Sequence, residues 1–387
     1  MGFLVAVSVA AAVTPTARAS AAVAATVPSG IPADCSRNVT GELQAWIDSV
    51  PDGSSLTFAP LGCYRIDGTL VFKNRTGLTI DGKDSTFRAV TDGSELVRAN
   101  SVRTRNLWSF LGSRDLMVRN VISVGANPHA GRGELAYAPK FEAQHAYLTI
   151  GTTNITLDHV QAYDVYGDFV WVGPGTNHLT VRNSTFSRNG RQGWTINGSD
   201  ILFENNSISE TRRATIDMEP SLPTWGAHNI MIRNNTIGKG RLFFFASVGA
   251  AAPIDNVSII GNRFYGKPMT IYVAPPKGTR SNYRVINNVS DAAVSGFGAP
   301  LVFRHVNGVE IRGNVQPTQW SHHLSGVSIF ATSNVVIADN VFRAAKAVFI
   351  DRGLNTNVRQ WNNMIGPLPM IMAAPETVVG PTALQIR

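Results

Sequence analysis

The sequence predicts an all-β solenoid, a parallel β-helix of about 11 coils, and three observations point to it. A short phrase of alternating apolar and polar residues recurs, each time followed by an Asn-rich turn. It reads Leu179-Thr-Val-Arg-Asn-Ser-Thr-Phe186, Ile201-Leu-Phe-Glu-Asn-Asn-Ser-Ile208 and Ile230-Met-Ile-Arg-Asn-Asn-Thr-Ile237, and returns from Val257, Tyr283, Val309, Val335 and Val358. Weaker copies begin at Leu78, Leu116 and Ile155, and from Ile155 onward successive starts are 24, 22, 29, 27, 26, 26, 26 and 23 residues apart. Second, a short apolar run lies between phrases, such as Phe169-Val-Trp-Val172, Ile271-Tyr-Val273 and Leu301-Val-Phe303. Third, no helical period separates them. Period-2 segments bounded by Asn and Gly are strands and turns, and coils of this length stack.

The Asn residues have a structural place in such a stack. Asn206, Asn235, Asn262, Asn288, Asn314, Asn340 and Asn363 stand at the same position of successive phrases. Stacked coils lie ~4.8 Å apart, so these amides can bond up and down the stack as a ladder.

Composition narrows the rest. The chain has 387 residues, 44% hydrophobic and 16% charged, too little charge for a disordered or coiled-coil protein. No apolar run reaches the ~18 residues of a membrane span. Residues 1–19 read as a signal peptide: Phe3 to Val13 is an apolar core, and Ala17-Arg18-Ala19 is a small-residue cleavage pattern. Residues 20–33 are expected as linker, 34–365 as the solenoid domain, and 366–387 as a capping tail. Glu42 to Val50 carries apolar residues at helical spacing, an amphipathic helix suited to cover the first coil. Export gives the two cysteines, Cys35 and Cys63, the role of a disulfide.

The architecture resembles the right-handed parallel β-helix proteins of the pectate-lyase-like superfamily, bacterial secreted type, over about residues 34–365. Gly62-Cys-Tyr-Arg-Ile-Asp-Gly-Thr-Leu-Val-Phe72 and Leu78-Thr-Ile-Asp-Gly82 look like the openings of such helices. The resemblance implies an extracellular polysaccharide lyase, hydrolase or uronate epimerase, or a non-enzymatic binding or assembly protein. The polygalacturonase pattern of an Asn-x-Asp, an adjacent Asp pair and a Gly-His-Gly is missing.

Three adjacent coils hold polar residues the core does not need: Asp168 to Val172, Arg191 to Asn197 and Arg213 to Pro220. With Val172, Ile196 and Met218 inward, Trp171, Thr195 and Asp217 form an outward column, and Gly173, Asn197 and Glu219 a second beside it. Asp217 and Glu219 would then stand ~7 Å apart by strand rise, within the spacing of an inverting hydrolase. Glu142 and His145 head the strand one coil earlier and would flank Asp168. The same alignment places Phe244, Tyr272 and Phe349 in the Trp171 column. The catalytic candidates are Asp217, Glu219, Asp168, Glu142, His145, Arg191 and Arg213. The substrate-binding candidates are Trp171, Thr195, Asn197, Gln192, Phe244 and Tyr272, since aromatic faces stack on sugar rings.

Two classes of function follow. One is a secreted polysaccharide-cleaving enzyme, with Asp/Glu hydrolysis ahead of elimination or C5-epimerisation of a uronate by Arg/His. The other is a non-catalytic glycan-binding or cell-envelope protein, whose acids are a solvated face worth ~1 kcal/mol or less per ion pair. The formal charge of +8 favours an extended, anionic polysaccharide, and export disfavours nucleic acid. No cofactor is required, calcium remains open, and the oligomeric state, a trimer included, is not legible.

Overall fold

A computed structural model describes residues 23–93, 104–220, 222, 226–248, 252–274, 280–292, 299–317, 325–343, 345–366, 371–372 and 377–378. The expected signal peptide and most of the expected capping tail lie outside the described residues.

The chain winds into a right-handed parallel β-helix with three strands per coil in its regular part. One side is an 11-stranded parallel sheet running from Leu70–Lys73 to Ala347–Asp351. The other sides are formed by longer strands such as Asn177–Arg182, Ser199–Glu204 and Ala227–Arg233, and by shorter ones such as Thr185–Asn189 and Ser207–Ser209. The repeated phrases fall into the expected register: Ile155 pairs with Leu179, then Ile201, Ile230, Val257, Tyr283, Val309, Val335 and Val358 in turn. Inward residues of all sides make one continuous apolar core, in which rings stack directly, as Trp194 on Phe203 at 4.1 Å.

The asparagine ladder holds that register. Nδ2 of Asn206 donates to Oδ1 of Asn235 at 3.1 Å, and the chain of bonds continues through Asn262, Asn288, Asn314 and Asn340 to Asn363 at 2.9–3.0 Å. Each Oδ1 also accepts the backbone N–H of the preceding rung, as Asn262 N to Asn288 at 2.9 Å. The residue just before each rung turns left-handed, with Asn287 at φ 55° and Gly313 at φ 65°. Asn and Gly tolerate that conformation best, which is why the turn repeats them.

The ends are closed differently from each other. The helix Thr40–Ser49 buries Leu43, Trp46 and Ile47 against the first coils. Cys35 and Cys63 form a disulfide with Cα atoms 5.0 Å apart, joining strands Asp34–Asn38 and Cys63–Arg65. The solenoid begins earlier than expected: Ala24–Thr26, inside the segment assigned as linker, pairs in parallel with Ser55–Thr57. Its backbone continues a sheet edge, which composition alone does not reveal. At the far end Ile371–Met372 and Thr377–Val378 turn back antiparallel on the last coil.

Replacing Asn288 by Ala would leave the Asn262 N–H and amide donors and the Ile259 carbonyl unpaired in a dry interior. That should cost roughly 2–4 kcal/mol. Urea unfolding should show a lower midpoint at unchanged slope, whereas Asn287→Gly, at the left-handed position, should change stability by under ~1 kcal/mol.

Candidate active site

On the 11-stranded sheet, register decides which side chains meet. Leu148, Trp171, Thr195, Asp217, Ala246 and Tyr272 are successive partners in one outward column. Their neighbours Val170, Val172, Trp194, Ile196, Ile216 and Met218 are in the core, as the sequence alignment required. Gly173 is needed at its position, because a Cβ there would lie 2.4 Å from the Trp171 ring.

Two aromatic assignments are corrected. Phe244 is fully buried and packs edge-on against Phe264 at 4.6 Å; its supposed place is taken by Ala246. Phe349 is in register with Val327 and packs on the core, while Ile350 holds the outward position. The sequence runs Phe243-Phe-Phe245 and Val348-Phe-Ile350 are apolar throughout, so alternation could not set their phase. Tyr272 is in the column as expected, and its ring stacks on Phe243 at 5.3 Å and 16°. Phe243, 42% exposed, was not singled out in the sequence.

Arg191 organises the polar residues. Its Nη1 donates to Asp168 Oδ2 at 2.8 Å and its Nη2 to Glu219 Oε2 at 2.7 Å, and its Nε lies 3.7 Å from Glu142 Oε2. Asp168 is fully buried and also accepts from Thr195 Oγ1 at 2.7 Å and from the Gln192 backbone at 2.9 Å. Gln192 Nε2 donates to Asp217 Oδ2 at 2.6 Å. The same Nε2 reaches Glu219 Oε1 at 3.5 Å, so the Asp217 and Glu219 carboxyl groups meet at one amide, closer than the ~7 Å expected from strand rise. The strand Ile216–Met218 stops one residue before Glu219, so the extended spacing does not carry over to it.

Glu142 and His145 come from the connection before the strand Tyr147–Ile150. Glu142 lies just after a short 3-10 turn, Pro139–Phe141, and not at the head of the strand. Tyr137 OH donates to Glu142 Oε2 at 2.6 Å, and the Arg213 guanidinium lies 5.3 Å from the Tyr137 ring centre. Arg213 is thus an edge residue of the cluster, outside the Arg191 network. Ion pairs of Glu134 with Arg212 and Arg241, and of Arg132 with Glu210, tie the connection down. The His145 ring is nearly parallel to Trp171 at 5.9 Å. Its Nδ1 accepts the Asp168 backbone N–H at 3.0 Å, which places its ring proton on Nε2 in the neutral form.

The electrostatics separate the carboxyl groups. Burial pushes Asp168 up to about 6 against the pull of Arg191, leaving it ionised at neutral pH. Burial and the adjacent Glu219 push Asp217 well above the carboxylate range, to about 8. Burial, with Arg191 nearby, drives His145 well below its ordinary value. Burial works against the Arg191 charge, but Asp168 and Glu219 outweigh it and keep the guanidinium firmly protonated. Gln192 Oε1 and Asn197 Oδ1 are buried with no hydrogen-bond partner among the described residues.

A cleft of about 290 Å³ opens beside this cluster, lined by Trp171, Leu148, Ile150, Asn106, Glu142, His145 and Arg191 among others. Among the described residues no group of three or more His, Cys, Asp and Glu side chains is arranged to hold a metal ion. Between Glu142, Asp168 and Glu219 the cation in place is Arg191. Among the same residues no helix is long and apolar enough to cross a membrane.

Comparison with known proteins agrees with the architecture. A family model for the right-handed β-helix region matches residues 169–315. A search of curated proteins found no match. Among solved structures, an exopolygalacturonase from Thermotoga maritima is 11% identical with a TM-score of 0.59, covering 91% of this chain and 92% of its own. PfbA, a surface adhesin of Streptococcus pneumoniae, is 13% identical with a TM-score of 0.58, over 92% and 95%. The A-module of the Azotobacter vinelandii mannuronan C-5 epimerase AlgE6 is 14% identical with a TM-score of 0.55, over 89% and 94%. The fold is therefore the right-handed parallel β-helix.

Asp217 makes stability depend on pH in a defined direction. Its folded pKa lies above its unfolded one, so the native chain keeps a proton that the unfolded chain has lost. The resulting stabilisation is complete below about 4 and fades as pH rises towards about 8. Asp217→Asn keeps a donor towards Glu219 but cannot ionise. Thermal melts should show the variant gaining on the native protein by a few degrees between pH 5 and pH 8.

Proposed function

We propose that this protein is a secreted polysaccharide-cleaving enzyme that hydrolyses glycosidic bonds by acid–base catalysis on the Trp171–Tyr272 face. The observation that carries the proposal is the buried Asp217 carboxyl, which meets Glu219 at the Gln192 amide and which burial and that neighbour push well above the carboxylate range. Pairs of carboxyl groups driven apart in this way serve as acid and base. Asp217 gives its proton to the glycosidic oxygen as the bond from the anomeric carbon breaks. Glu142, which lines the cleft, takes a proton from the water whose oxygen bonds to that carbon. Gln192 Nε2 donates to Asp217 Oδ2 and orients that carboxyl group, while Arg191 pairs with Glu219 and Asp168.

Elimination or epimerisation has less support from the geometry. Arg191 is committed to carboxylates of the protein itself, and His145 presents a proton, not a lone pair, at Nε2. A non-catalytic glycan-binding role is favoured by one observation: the Arg191 network is closed on itself, as a purely structural cluster would be. Fold relatives cover hydrolysis, epimerisation and adhesion, so they support action on polysaccharides without choosing among these. The N-terminal apolar stretch and the Cys35–Cys63 disulfide support export.

Asp217→Asn and Glu142→Gln should each lower kcat by roughly 10²–10⁴-fold, the usual contribution of a general acid or base, while glycan affinity persists and both variants fold. Reducing-end release checks the first and calorimetric titration the second. A native protein that binds a glycan but releases no reducing ends from it would establish the binding role instead. Activity should survive chelation by EDTA, because Arg191 supplies the positive charge among the carboxylates.

A further inference from the structure

We infer that the glycan is uncharged and lies along the solenoid axis between two aromatic platforms, Trp171 and the Phe243–Tyr272 stack, which flank the Asp217 coil. This rests on the hydrolase reading for the point of cleavage, but not for binding. The platforms are placed by register. Trp171 stands two coils before Asp217 in the outward column, and Tyr272 stands two coils after it. Four strand spacings separate them, about 19 Å, the length of several sugar units. The residues between are Thr195, Asp217 and Ala246, all buried, with the Arg191 and Gln192 side chains lying against the first two, so the stretch between the platforms is polar and carries no ring in the column. Phe243 adds an exposed ring to Tyr272 and widens that platform. Aromatic faces flanking a polar stretch suit the C–H faces of successive sugars.

The charge of the ligand follows from what surrounds the cleavage point. Glu142, Asp168 and Glu219 converge on Arg191, whose Nη1 and Nη2 are taken up by Asp168 and Glu219. Arg213 stacks on Tyr137 and is not part of the cleft wall. Arg304, 6.0 Å from the Tyr272 ring centre, is a cation at the far platform only. The cleft itself offers Leu148 and Ile150 as apolar wall and Ser109, Asn106 and Glu142 as hydrogen-bonding groups. Gln192 Oε1 and Asn197 Oδ1 are buried acceptors that still lack donors. A uronate or sulfate in the cleft would bring its charge against the carboxylates. The overall charge of +8 therefore belongs to other parts of the surface and does not describe the site.

The test uses Glu142→Gln to slow turnover and measures binding to two sets of probes. The uncharged set is β-1,3- and β-1,4-glucans, xylan and galactomannan with their oligosaccharides; the anionic set is polygalacturonate, alginate and hyaluronate. At least one uncharged glycan should bind, with an affinity insensitive to salt. Adding Tyr272→Ala should weaken its long oligosaccharides by roughly 10-fold, and its disaccharides by under about 2-fold. Tightest binding to a polyuronate, no binding to either set, or equal loss at every chain length would each overturn the inference. Native protein assayed on the same probes separates the two readings. Cleavage of a polyuronate that releases reducing ends without a new unsaturated uronate would leave hydrolysis standing and remove this inference, while an uncharged glycan bound but never cleaved would do the reverse.

Discussion

Register between coils is the constraint on which everything else in this molecule depends. A parallel sheet with varying coil lengths has no hairpin turns to set its pairing, so the alignment must come from side chains. The asparagines from Asn206 to Asn363 supply it, each amide bridging one coil to the next and satisfying a backbone N–H that would otherwise be buried and unpaired. Slipping one coil by a residue would break two or more of these bonds and turn its apolar side chains outward. The outward column on the opposite sheet inherits this order. Asp217 and Tyr272 stand on coils that carry asparagine rungs, and Ser184, bonded to Val160 and to Asn206, continues the alignment to the coils of Thr195 and Trp171.

Against that rigid background the Arg191 cluster is a local concentration of unfavourable terms. Three carboxylates share one guanidinium, a fourth carboxyl is pushed well above the carboxylate range, and two amide oxygens and one Nε–H are left unpaired in the interior. Buried polar groups of this kind cost stability unless fully paired. A long solenoid core carries such a cost readily, since each coil is stabilised chiefly by its neighbours. Concentration of perturbed groups in one cleft is the usual mark of a working site.

The fold leaves the choice of chemistry to the site. Proteins sharing it at 11–14% identity include a hydrolase, an epimerase and an adhesin, a spread that the common scaffold permits because every coil offers a new set of outward residues. In this chain the distinguishing features are Arg191 set among three carboxyl groups, Asp217 and Glu219 meeting at the Gln192 amide, and the spacing of aromatic rings about them. These favour proton transfer to a glycosidic oxygen over abstraction beside a uronate carboxylate.

The solenoid, its ladder, the helical cap and the three coils that hold the cluster were legible in the sequence. They depend on periodicity and local alternation, which is information carried by residues near one another in the chain. Asp217 and Thr195 could be placed beneath Trp171 because their flanking residues alternate cleanly. Phe244 and Phe349 could not be placed, since an all-apolar run has no phase and coil lengths vary from 22 to 29 residues. Tertiary structure alone decided that Arg191 joins Glu142, Asp168 and Glu219, that Asp217 meets Glu219 at the Gln192 amide, and that the chain enters the sheet by Ala24. Those contacts bring together different coils, or lie where strand geometry ends. Their distances are therefore set by loop paths and rotamers, not by the spacing of residues along the chain.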